Sequence, residues 1–453
     1  MHKATIDNKS LICSHQLKLP LMEHIVIIGN GIAGVTAARH IRKLSDKRIT
    51  IISAESEFFF SRTALMYVYM GHMKFEHTQP YENDFWAKNR IELVHDYVHT
   101  VETDAKKVHL NSGRDIMYDK LILATGSISN KFGWPGQDLE GVQGLVSRQD
   151  LEQLEISAPN NKVCKRAVII GGGLIGVELA EMMASRQIPV TFLIREKGFW
   201  SGVLPMSNAE MISRHVRSHH IDLREEEEMA EIIADDAGKV KAIITKKGET
   251  IPCGFVGLCA GVRPRISFLE NSGIELQRGI MVDRHLETSV KDVYAIGDCA
   301  QQRNPVGERK PIEAVWYTGR MMGEALAQTL CGNPTEWNPG HWFNSAKFFD
   351  IEYQTYGWVW SKPKEGHDHF NWQHDDDKRA VTIEYDLGTR KFIGINTFGI
   401  RMKHEVFDLW LSESKTVDDV VANLDKACFN PEFFKRPFQE IKQAFSSSQH
   451  VKA

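Results

Sequence analysis

Residues 24–44, HIVIIGNGIAGVTAARHIRKL, decide the fold of this chain. Residues 25–28 are apolar without alternation, as expected for a parallel strand that is covered on both faces. Glycines follow at 29, 31 and 34, and the residues after them have helical periodicity. A second strand pattern, ITIISAE, occupies residues 49–55 and ends in an acid. Strand, glycine loop, helix, strand and terminal acid in this order predict a βαβ unit.

The three glycines are typical of a loop that binds a dinucleotide. Gly29 permits a tight turn, Gly31 lets the backbone approach a pyrophosphate, and Gly34 lets the helix pack closely on the strand. The N-terminus of that helix presents free N–H groups to the phosphates. Glu55 stands 21 residues after Gly34, where an acid accepts hydrogen bonds from ribose hydroxyls. The alternative is a glycine-rich turn that holds no ligand.

The same unit returns 142 positions later in the chain. Residues 166–196 read RAVIIGGGLIGVELAEMMASRQIPVTFLIRE, and Gly171, Gly173 and Gly176 take the three glycine roles. A chain that brings two dinucleotides together most often transfers electrons between them. The sequence therefore predicts an oxidoreductase with two dinucleotide sites.

The end of the second repeat leaves the choice of nicotinamide open. Aligned with the first repeat, Glu196 lies opposite Glu55, accepts from a 2′-hydroxyl and favours NADH. If the strand ends two residues earlier, Ile194 takes that place, and Arg195 could pair with a 2′-phosphate and favour NADPH. We lean slightly towards NADH, and a solvated surface charge is an equally good reading of Arg195.

Composition excludes several classes of protein. The chain has 453 residues, 42% of them hydrophobic and 25% charged, which suits two or three globular domains. A net charge of −4 provides no overall basic field for nucleic acid. The sequence contains no apolar run long enough to span a membrane. Seven cysteines without a CxxC pair favour a reducing compartment, so a cytoplasmic location is expected.

Three further motifs extend the pattern beyond the glycine loops. They are YDKLILATGS at 118–127, CAGVRP at 259–264 and GIMVDRHLETSVKDVYAIGDCA at 279–300. With these motifs, residues 23–332 resemble the FAD-dependent pyridine nucleotide-disulfide oxidoreductases of the glutathione-reductase-like fold. The resemblance implies an α/β fold with two Rossmann-like domains, followed by a C-terminal α+β domain.

The resemblance also implies where the domains begin and end. The NAD(P) domain is inserted into the FAD domain, so the FAD domain is built from two segments. The expected division is an N-terminal extension at 1–21, an FAD domain at 22–127 and 262–332, an NAD(P) domain at 128–261, and a C-terminal interface domain at 333–453. The first 21 residues could instead be upstream sequence, since Met22 directly precedes the first strand.

The cofactor ligands follow from the same resemblance. Asp298 of the GD pair matches the aspartate that binds the ribityl chain, and the helix at 313–332 matches one whose N-terminus points at the flavin ring. The expected FAD residues are Gly29, Gly31, Ala33, Gly34, Glu55, Arg62, Thr125, Gly126, Asp298, Val315 and Trp316. The expected NAD(P)H residues are Gly171, Gly173, Leu174, Ile175, Gly176, Arg195, Glu196 and Gly261.

The segment 53–73 contains no cysteine, although the largest branch of the family carries its redox-active thiols there. The segment resembles instead the ferredoxin and rubredoxin reductases and the apoptosis-inducing-factor-like proteins. In that branch a lysine near the flavin pairs with a glutamate of the second glycine-loop helix. Glu178 matches the glutamate, but Tyr67 replaces the lysine. We therefore assign Glu178 and Tyr67 to the catalytic centre, and we expect Glu178 to find another donor or to have a raised pKa.

The last 120 residues give weaker signals. Strand patterns at 342–360 and 379–399, followed by a helical stretch, predict a small sheet with helices. The histidine- and aspartate-rich segment 367–379 is interpreted as a solvated loop, so no metal ligand is assigned. In the tail at 430–445, Phe434, Phe438, Ile441 and Phe445 would share one helix face, which either packs on its own domain or docks to a partner subunit or a membrane. Pro437 would kink or begin that helix.

The resulting hypothesis is a flavoenzyme that takes a hydride from NAD(P)H onto FAD without a dithiol. The expected acceptor is a small iron–sulfur protein of ferredoxin or rubredoxin type. A quinone reached from a membrane surface is the alternative enzyme, and a nucleotide-binding subunit or signalling protein with slow turnover is the alternative of another class. The hypothesis also includes a homodimer.

Overall fold

The computed structural model describes residues 22–452 apart from 431, 433 and 435. The predicted N-terminal extension, residues 1–21, lies outside the described residues. Within them the chain is an α/β protein, as the sequence predicts. Short 3₁₀ helices lie at Arg62–Ala64, Phe75–Thr78, Ser267–Leu269, Gly297–Cys299 and Leu424–Ala427.

The strands and helices fall into four consecutive segments of the chain. Residues 22–129 contain β1 His24–Ile28, α1 Ile32–Leu44, β2 Arg48–Ser53, α2 Leu65–Tyr69, α3 Phe85–Lys88, β3 Ile91–His95, β4 Val98–Glu102, β5 Lys107–Leu110, β6 Asp115–Met117, β7 Lys120–Leu123 and β8 Ser127–Ser129. Residues 142–258 contain β9 Val142–Gln143, α4 Arg148–Ser157, β10 Ala167–Ile170, α5 Leu174–Ser185, β11 Val190–Leu193, α6 Met206–Ser218, β12 Asp222–Arg224, β13 Met229–Ala234, β14 Val240–Thr245, β15 Thr250–Pro252 and β16 Phe255–Leu258.

The remaining two segments complete the elements. Residues 262–330 contain β17 Val262–Pro264, β18 Ile280–Val282, β19 Val293–Ala295, β20 Ala300–Gln302 and α7 Trp316–Leu330. Residues 343–452 contain β21 Phe343–Phe348, β22 Ile351–Gly357, β23 His367–Gln373, β24 Ala380–Asp386, β25 Phe392–Phe398, α8 His404–Ser412, α9 Val417–Ala422 and α10 Phe438–Lys452.

Two parallel sheets contain the two glycine loops. The first has the order β3-β2-β1-β7-β19, and the second has the order β12-β11-β10-β16-β9. In both, the strand that precedes the glycine loop is central and pairs in parallel with both neighbours. The apolar runs that predict these strands are buried, and the core around the first sheet also contains apolar residues of α1, of α7 and of the strands β4–β6.

The glycines act within the loops as the sequence predicts. Gly29 has a φ of 113°, and a Cβ there would lie 2.1 Å from the carbonyl oxygen of Ala124. A Cβ on Gly34 would lie 2.1 Å from the carbonyl oxygen of Gly29, so only glycine lets α1 pack this closely on the loop. Gly171 and Gly176 repeat both relationships in the second loop, with a φ of 109° at Gly171 and a distance of 2.4 Å from the Gly176 Cβ to the Gly171 carbonyl oxygen.

The chain passes between the two sheets twice, side by side. It leaves the first sheet through β8 and returns through β17, and these two strands pair antiparallel as a short ribbon. After β19, helix α7 packs on α1, where a Cβ on Gly323 would lie 2.6 Å from the carbonyl oxygen of Ala33. The insertion of the second sheet into the first segment therefore appears in the structure as a two-strand crossing.

The C-terminal segment is a five-stranded antiparallel sheet with helices on it. The strand order is β21-β22-β25-β24-β23, and a hairpin joins β24 to β25. The interpretation of residues 367–379 as a solvated loop is wrong in part, because residues 367–373 form β23, an edge strand paired along its length with β24. Alternating apolar residues at Phe370 and Trp372 face the core and pull this polar segment into the sheet.

The C-terminal tail packs on its own domain. Helix α10 begins at Phe438, directly after Pro437, which suits proline at the start of a helix. Phe438, Ile441 and Phe445 are buried in the core of the third sheet. Phe434 precedes the helix and is 61% exposed. Of the two readings of this face, the structure therefore favours packing, and the three buried side chains are not free to dock elsewhere.

One hydrophobic core joins three parts of the chain. It contains residues of the second parallel sheet, residues of α2, and Phe348, Phe349 and Tyr353 of the third sheet. The third sheet is thereby fixed against the helices of the second glycine loop. None of the described helices combines the length and apolar composition that crossing a bilayer requires.

Candidate active site

A cavity of about 390 Å³ lies beside the first glycine loop. Its walls come from the loop itself, from the ends of β2 and β7, from the segment after β19 and from helix α5 of the second repeat. Eleven of the predicted site residues line it: Gly29, Gly31, Ala33, Glu55, Arg62, Thr125, Gly126, Ile175, Glu178, Asp298 and Trp316. The cavity thus brings together residues as distant in sequence as Gly29 and Trp316, which are 287 positions apart.

The other predicted residues lie outside the cavity wall. They are Gly34, Tyr67, Gly171, Gly173, Leu174, Gly176, Arg195, Glu196, Gly261 and Val315. Gly34 and Gly176 instead make the close packing of helix on loop described above. Val315 is the N-cap residue of α7, so its neighbour Trp316 forms the part of this helix that reaches the cavity.

The first glycine loop presents a helix N-terminus to the cavity. Gly31 is the N-cap of α1, and the first turn of α1 carries no acidic side chain. A Cβ on Gly31 would meet no atom within 4 Å, so the space over the loop is open to a ligand. Free N–H groups and the helix dipole at this end favour a bound anion such as a pyrophosphate.

The carboxylate of Glu55 accepts three hydrogen bonds from N–H donors. The guanidinium of Arg62 donates to both carboxylate oxygens, at 2.7 and 2.6 Å, and the backbone N–H of Arg148 donates to Oε1 at 2.8 Å. Burial would raise the pKa of Glu55, but these donors outweigh it and hold the pKa below its usual value. Glu55 is therefore ionised, and a ribose hydroxyl would share this carboxylate with Arg62.

The sequence analysis predicted Arg62, but it did not predict the contacts that Arg148 and Val146 make with the Glu55–Arg62 pair. Arg148 begins α4, 93 residues after Glu55 in the chain, and no local pattern joins the two. The guanidinium of Arg62 also donates to the carbonyl of Val146. The loop before α4 therefore closes one end of the cavity over the Glu55–Arg62 pair.

Asp298 lies in the short helix after β19, on the wall of the cavity. The hydroxyl of Ser127 donates to its Oδ2 at 2.8 Å. Burial raises the pKa of Asp298, while the Ser127 hydrogen bond and the charge of Arg62 act in the opposite direction. A half-buried carboxylate with one protein donor can accept hydroxyl donors from a ligand. Ser127 was not predicted, although it directly follows the predicted Gly126.

The two glycine loops place their terminal acids in equivalent positions. The backbone N–H of Gly29 donates to the carbonyl of Ile52, and that of Gly171 donates to the carbonyl of Leu193. Glu55 and Glu196 each stand three residues after that carbonyl. Of the two alignments that the sequence allows, the structure therefore places Glu196, rather than Ile194, opposite Glu55.

Arg195 lies at the surface and pairs with Glu196. Its side chain is 78% exposed, and its Nε donates to Oε1 of Glu196 at 3.0 Å. The Oε2 atom of Glu196 lies 3.8 Å from the position that a Cβ on Gly172 would occupy. The acid, rather than the arginine, is thus the group that faces the glycine loop, while Ile194 is buried beneath it.

Glu178 projects from α5 onto the cavity wall. Burial raises its pKa to about 7, the charge of Glu181 acts in the same direction, and Lys347 opposes both. The ammonium of Lys347 lies 2.7 Å from Oε1 of Glu181, one turn further along α5. The raised pKa expected for Glu178 is confirmed, and the nearby cation comes from the third sheet.

Tyr67 does not reach the cavity. Its neighbour Met66 lines the wall, while the ring of Tyr67 stacks on His72 and lies 5.9 Å from the ammonium of Lys347. Successive side chains of a helix point about 100° apart, so Met66 and Tyr67 of the five-residue helix α2 face different sides. The structure therefore does not bring Tyr67 to the position that sequence reasoning gave it.

No described cysteine contributes to the cavity wall. Cys164, Cys253, Cys259, Cys299, Cys331 and Cys428 are all free thiols. Cys299 follows Asp298, but its Sγ is buried and points to the carbonyls of Leu123 and Ile296, at 3.4 and 3.3 Å. Cys299 is therefore a packing residue. Burial raises its pKa, so the group is a neutral thiol at pH 7.

Fold and site together define a protein with two dinucleotide-binding domains and a cavity that touches both glycine-loop units. The family model "Pyridine nucleotide-disulphide oxidoreductase" matches residues 23–323. The chain belongs to this family, whose members bind FAD and use NAD(P)H. The predicted resemblance and the predicted α/β fold are thereby confirmed.

Similar proteins are known by sequence and by structure. Nitrite reductase [NAD(P)H] of Bacillus subtilis (strain 168) is 29% identical over 317 residues, which are 69% of this chain and 38% of the relative. A ferredoxin–NAD(P)(+) reductase of Sphingomonas sp is 29% identical over 339 residues, 74% of this chain and 80% of the relative. A solved NAD-dependent persulfide reductase from A. fulgidus has a TM-score of 0.82 at 22% identity, covering 94% of this chain and 84% of that one. This chain thus spans less than half the length of the nitrite reductase.

Proposed function

We propose that this chain is an FAD-dependent NAD(P)H oxidoreductase that passes electrons to a carrier protein without using a dithiol. One observation carries the proposal. The first glycine loop and helix α5 of the second repeat line the same cavity, and no cysteine is among its described lining residues. A ligand held by the first loop would therefore be reached from the second loop, with no thiol in between.

The residues of the cavity fit FAD. The open N-terminus of α1 suits the pyrophosphate, the ionised Glu55 suits the adenosine ribose, and Asp298 suits the ribityl hydroxyls. FAD, when bound, supplies the redox chemistry by accepting a hydride and releasing electrons singly or in pairs. The residues at the start of α1 and Trp316, the first residue of α7, line the cavity and would hold it there.

The second sheet supports binding of NADH in preference to NADPH. Glu196 occupies the place in the second unit that Glu55 occupies in the first, and a carboxylate there accepts from a 2′-hydroxyl but repels a 2′-phosphate. Arg195 extends into solvent and pairs with Glu196 instead of forming a phosphate site. The glycines of this loop, with Leu174 and Ile175 at the start of α5, would bind the nicotinamide dinucleotide.

Glu178 would hold or release a proton at the cavity wall near neutral pH. A carboxyl group with a pKa of about 7 exchanges its proton readily under physiological conditions. Lys347, on β21, provides a positive charge near it, and its ammonium pairs with Glu181. The resemblance expects the cation at position 67, where this chain has Tyr67.

The acceptor that fits best is a small iron–sulfur protein. Without a thiol relay, electrons leave by direct contact or tunnelling, and a carrier protein needs no substrate pocket of its own. The ferredoxin reductase relative, of which this chain covers 80%, supports this choice. No observation favours the quinone reading, since the apolar face of the tail is buried. The Lys347 charge weakens the slow-turnover reading, which was based on a missing cation.

The remaining expectations stay proposals. We infer the domain division from the β8–β17 crossing, which lies at residues 127–129 and 262–264 and so coincides with the expected limits of the inserted domain. A cytoplasmic location, a homodimer and docking to a partner subunit or a membrane through the C-terminal helix remain predictions.

A steady-state assay tests the proposal. The purified chain, loaded with FAD, is supplied with NADH and one of three acceptors: a ferredoxin or rubredoxin, a soluble quinone, or ferricyanide. We expect turnover with ferricyanide and with the iron–sulfur carrier. Turnover with quinone alone would mean that the acceptor is a quinone and not an iron–sulfur protein. Failure with all three acceptors, in a chain that binds FAD, would favour the subunit with slow turnover.

A further inference from the structure

The side chains of two histidines and an aspartate lie close together where helix α6 contacts the third sheet. His215 lies on α6, and His219 follows one turn later at its C-terminal end, so both point to the same side. Asp350 lies in the tight turn between β21 and β22. Oδ1 of Asp350 is 2.6 Å from Nε2 of His215 and 3.1 Å from Nε2 of His219. One ligand atom from each residue lies within 4.8 Å of the others.

The buried histidine has an unsatisfied nitrogen. His215 is 5% exposed, and its Nε2 has no hydrogen-bond partner of acceptable geometry, although Oδ1 of Asp350 is so near. A buried polar atom without a partner is costly, and such atoms often mark a missing water or ion. The ring of His219 is held in place by stacking on Phe349, with 4.3 Å between ring centroids.

We propose that Nε2 of His215, Nε2 of His219 and the carboxylate of Asp350 bind a divalent transition metal, with Zn²⁺ as the ion that fits the donor set. Two imidazoles and one carboxylate are ligands that Zn²⁺ prefers, and water would complete a tetrahedral site. In such a site neighbouring ligand atoms lie roughly 3.3 Å apart, given metal–ligand distances near 2.05 Å. Both Asp350 distances are shorter than this spacing, so the exposed Asp350 side chain must move outward, and the two imidazole nitrogens, which lie within 4.8 Å of each other, must adjust to about 3.3 Å.

Charge at the site is compatible with a cation. Lys378 competes for Asp350, since its Nζ lies 2.7 Å from Oδ2. It occupies the other carboxylate oxygen, however, and leaves Oδ1 facing the two histidines.

The proposed ion would link two parts of the fold. His215 and His219 belong to the inserted segment, whereas Asp350 belongs to the C-terminal sheet, 131 residues beyond His219 in the chain. Asp350 is also three residues from Lys347, on the strand that reaches Glu181. The ion would therefore stabilise the docking of the same hairpin that supplies the cation beside Glu178. Because it binds only the assembled fold, it should raise the temperature of unfolding.

Metal titration of the untagged, full-length chain tests this proposal. The protein is treated with EDTA, dialysed, and titrated with Zn²⁺ by calorimetry, and with Co²⁺ by visible absorption. We expect one saturable Zn²⁺ site and the intense visible bands of low-symmetry, four- or five-coordinate Co²⁺. A protein that binds Zn²⁺ only weakly at many sites, or gives only the faint bands of octahedral Co²⁺, would overturn the proposal without any variant.

Two variants and one control test two of the three proposed ligands. His219→Ala and Asp350→Asn change side chains that are exposed by 34% and 52%, so both are expected to fold, which circular dichroism checks. We expect each to weaken Zn²⁺ binding at least tenfold and to abolish the rise in unfolding temperature on adding Zn²⁺. The matched control is His220→Asn, at the exposed neighbour with a φ of 62°, where asparagine is tolerated. Equal binding by all four proteins would place the metal elsewhere and contradict the assignment.

Discussion

The ammonium of Lys347 lies 2.7 Å from Oε1 of Glu181, so a strand of the C-terminal sheet contacts the helix that follows the second glycine loop. The pair is half-buried, with side-chain exposures of 35% and 14%. Its charge reaches Glu178, one turn earlier on the same helix, and opposes the burial that raises the pKa of Glu178. A charge from the C-terminal sheet therefore influences the pKa of a residue on the cavity wall.

Removing this cation should shift the titration of Glu178 upward. In Lys347→Met, Glu178 loses the one opposing charge and keeps the repulsion of Glu181, so its pKa should rise above 7, by about one unit. The pH dependence of kcat/KM for NADH, with ferricyanide as acceptor, should show its acidic limb move to higher pH. Lys347→Arg is the control and should keep the wild-type profile. Identical profiles in all three proteins would mean that Lys347 does not act on this group.

Glu178 should also make stability depend on pH. Its pKa is about 7 in the folded chain and near 4.5 when unfolded, so between these values the folded chain holds more protons and stability falls as pH rises. Glu178→Gln removes this loss. We expect it to increase the free energy of unfolding by about 1–3 kcal/mol at pH 8 and to leave it unchanged at pH 4. Urea unfolding at both pH values measures this, with the exposed Glu57→Gln as control; a gain at pH 4 would point to another cause.

Glu55 should determine how tightly FAD is retained. Glu55→Ala removes the acceptor for a ribose hydroxyl and leaves Arg62 without its bidentate partner. Hydrogen bonds to a charged group are worth about 1.5–3 kcal/mol, which is a loss of affinity of about 10- to 150-fold. Flavin absorbance after dialysis measures retention. Glu57→Ala, an exposed acid two residues away and outside the cavity, is the matched control. Equal retention in both variants would argue against the role of Glu55.

The choice of nicotinamide should depend on Glu196. Glu196→Ala removes the carboxylate that faces the second glycine loop and should raise KM for NADH about tenfold, by the loss of a hydrogen bond to a charged group. Arg195→Ala should leave KM for NADH nearly unchanged, since that side chain extends into solvent. Steady-state kinetics with NADH and NADPH compare the variants. If Arg195→Ala instead raised KM for NADPH alone, the arginine would be a phosphate ligand.

Electron transfer should need no cysteine. The described thiols are absent from the cavity wall, and Cys299, which lies nearest in sequence to Asp298, is buried in the core. One equivalent of NADH should bleach the flavin absorbance in an anaerobic titration, and iodoacetamide should leave turnover intact. A need for two equivalents, with a long-wavelength charge-transfer band that alkylation removes, would instead indicate a dithiol mechanism.

The two glycine-loop units could be predicted because each is local. In a unit such as residues 24–55, the apolar strand, the turn at Gly29 and the close packing at Gly34 involve residues near one another in sequence, and the backbone itself imposes the geometry. The absence of a cysteine from residues 53–73 could also be read directly from the sequence. The acid after the second strand was ambiguous only because strand ends are set by hydrogen bonds, such as that from Gly171 to Leu193.

What the sequence could not decide are contacts between distant segments. Lys347 meets Glu181 from 166 residues away, Arg148 meets Glu55 from 93, and Asp350 meets His219 from 131. Each depends on how the third sheet or the α4 loop packs against the inserted segment, through a shared apolar core rather than through any local pattern. The sequence by itself therefore determined two dinucleotide-binding units and a site without thiols. Only the tertiary structure decided which charges surround that site, because long-range packing places them there.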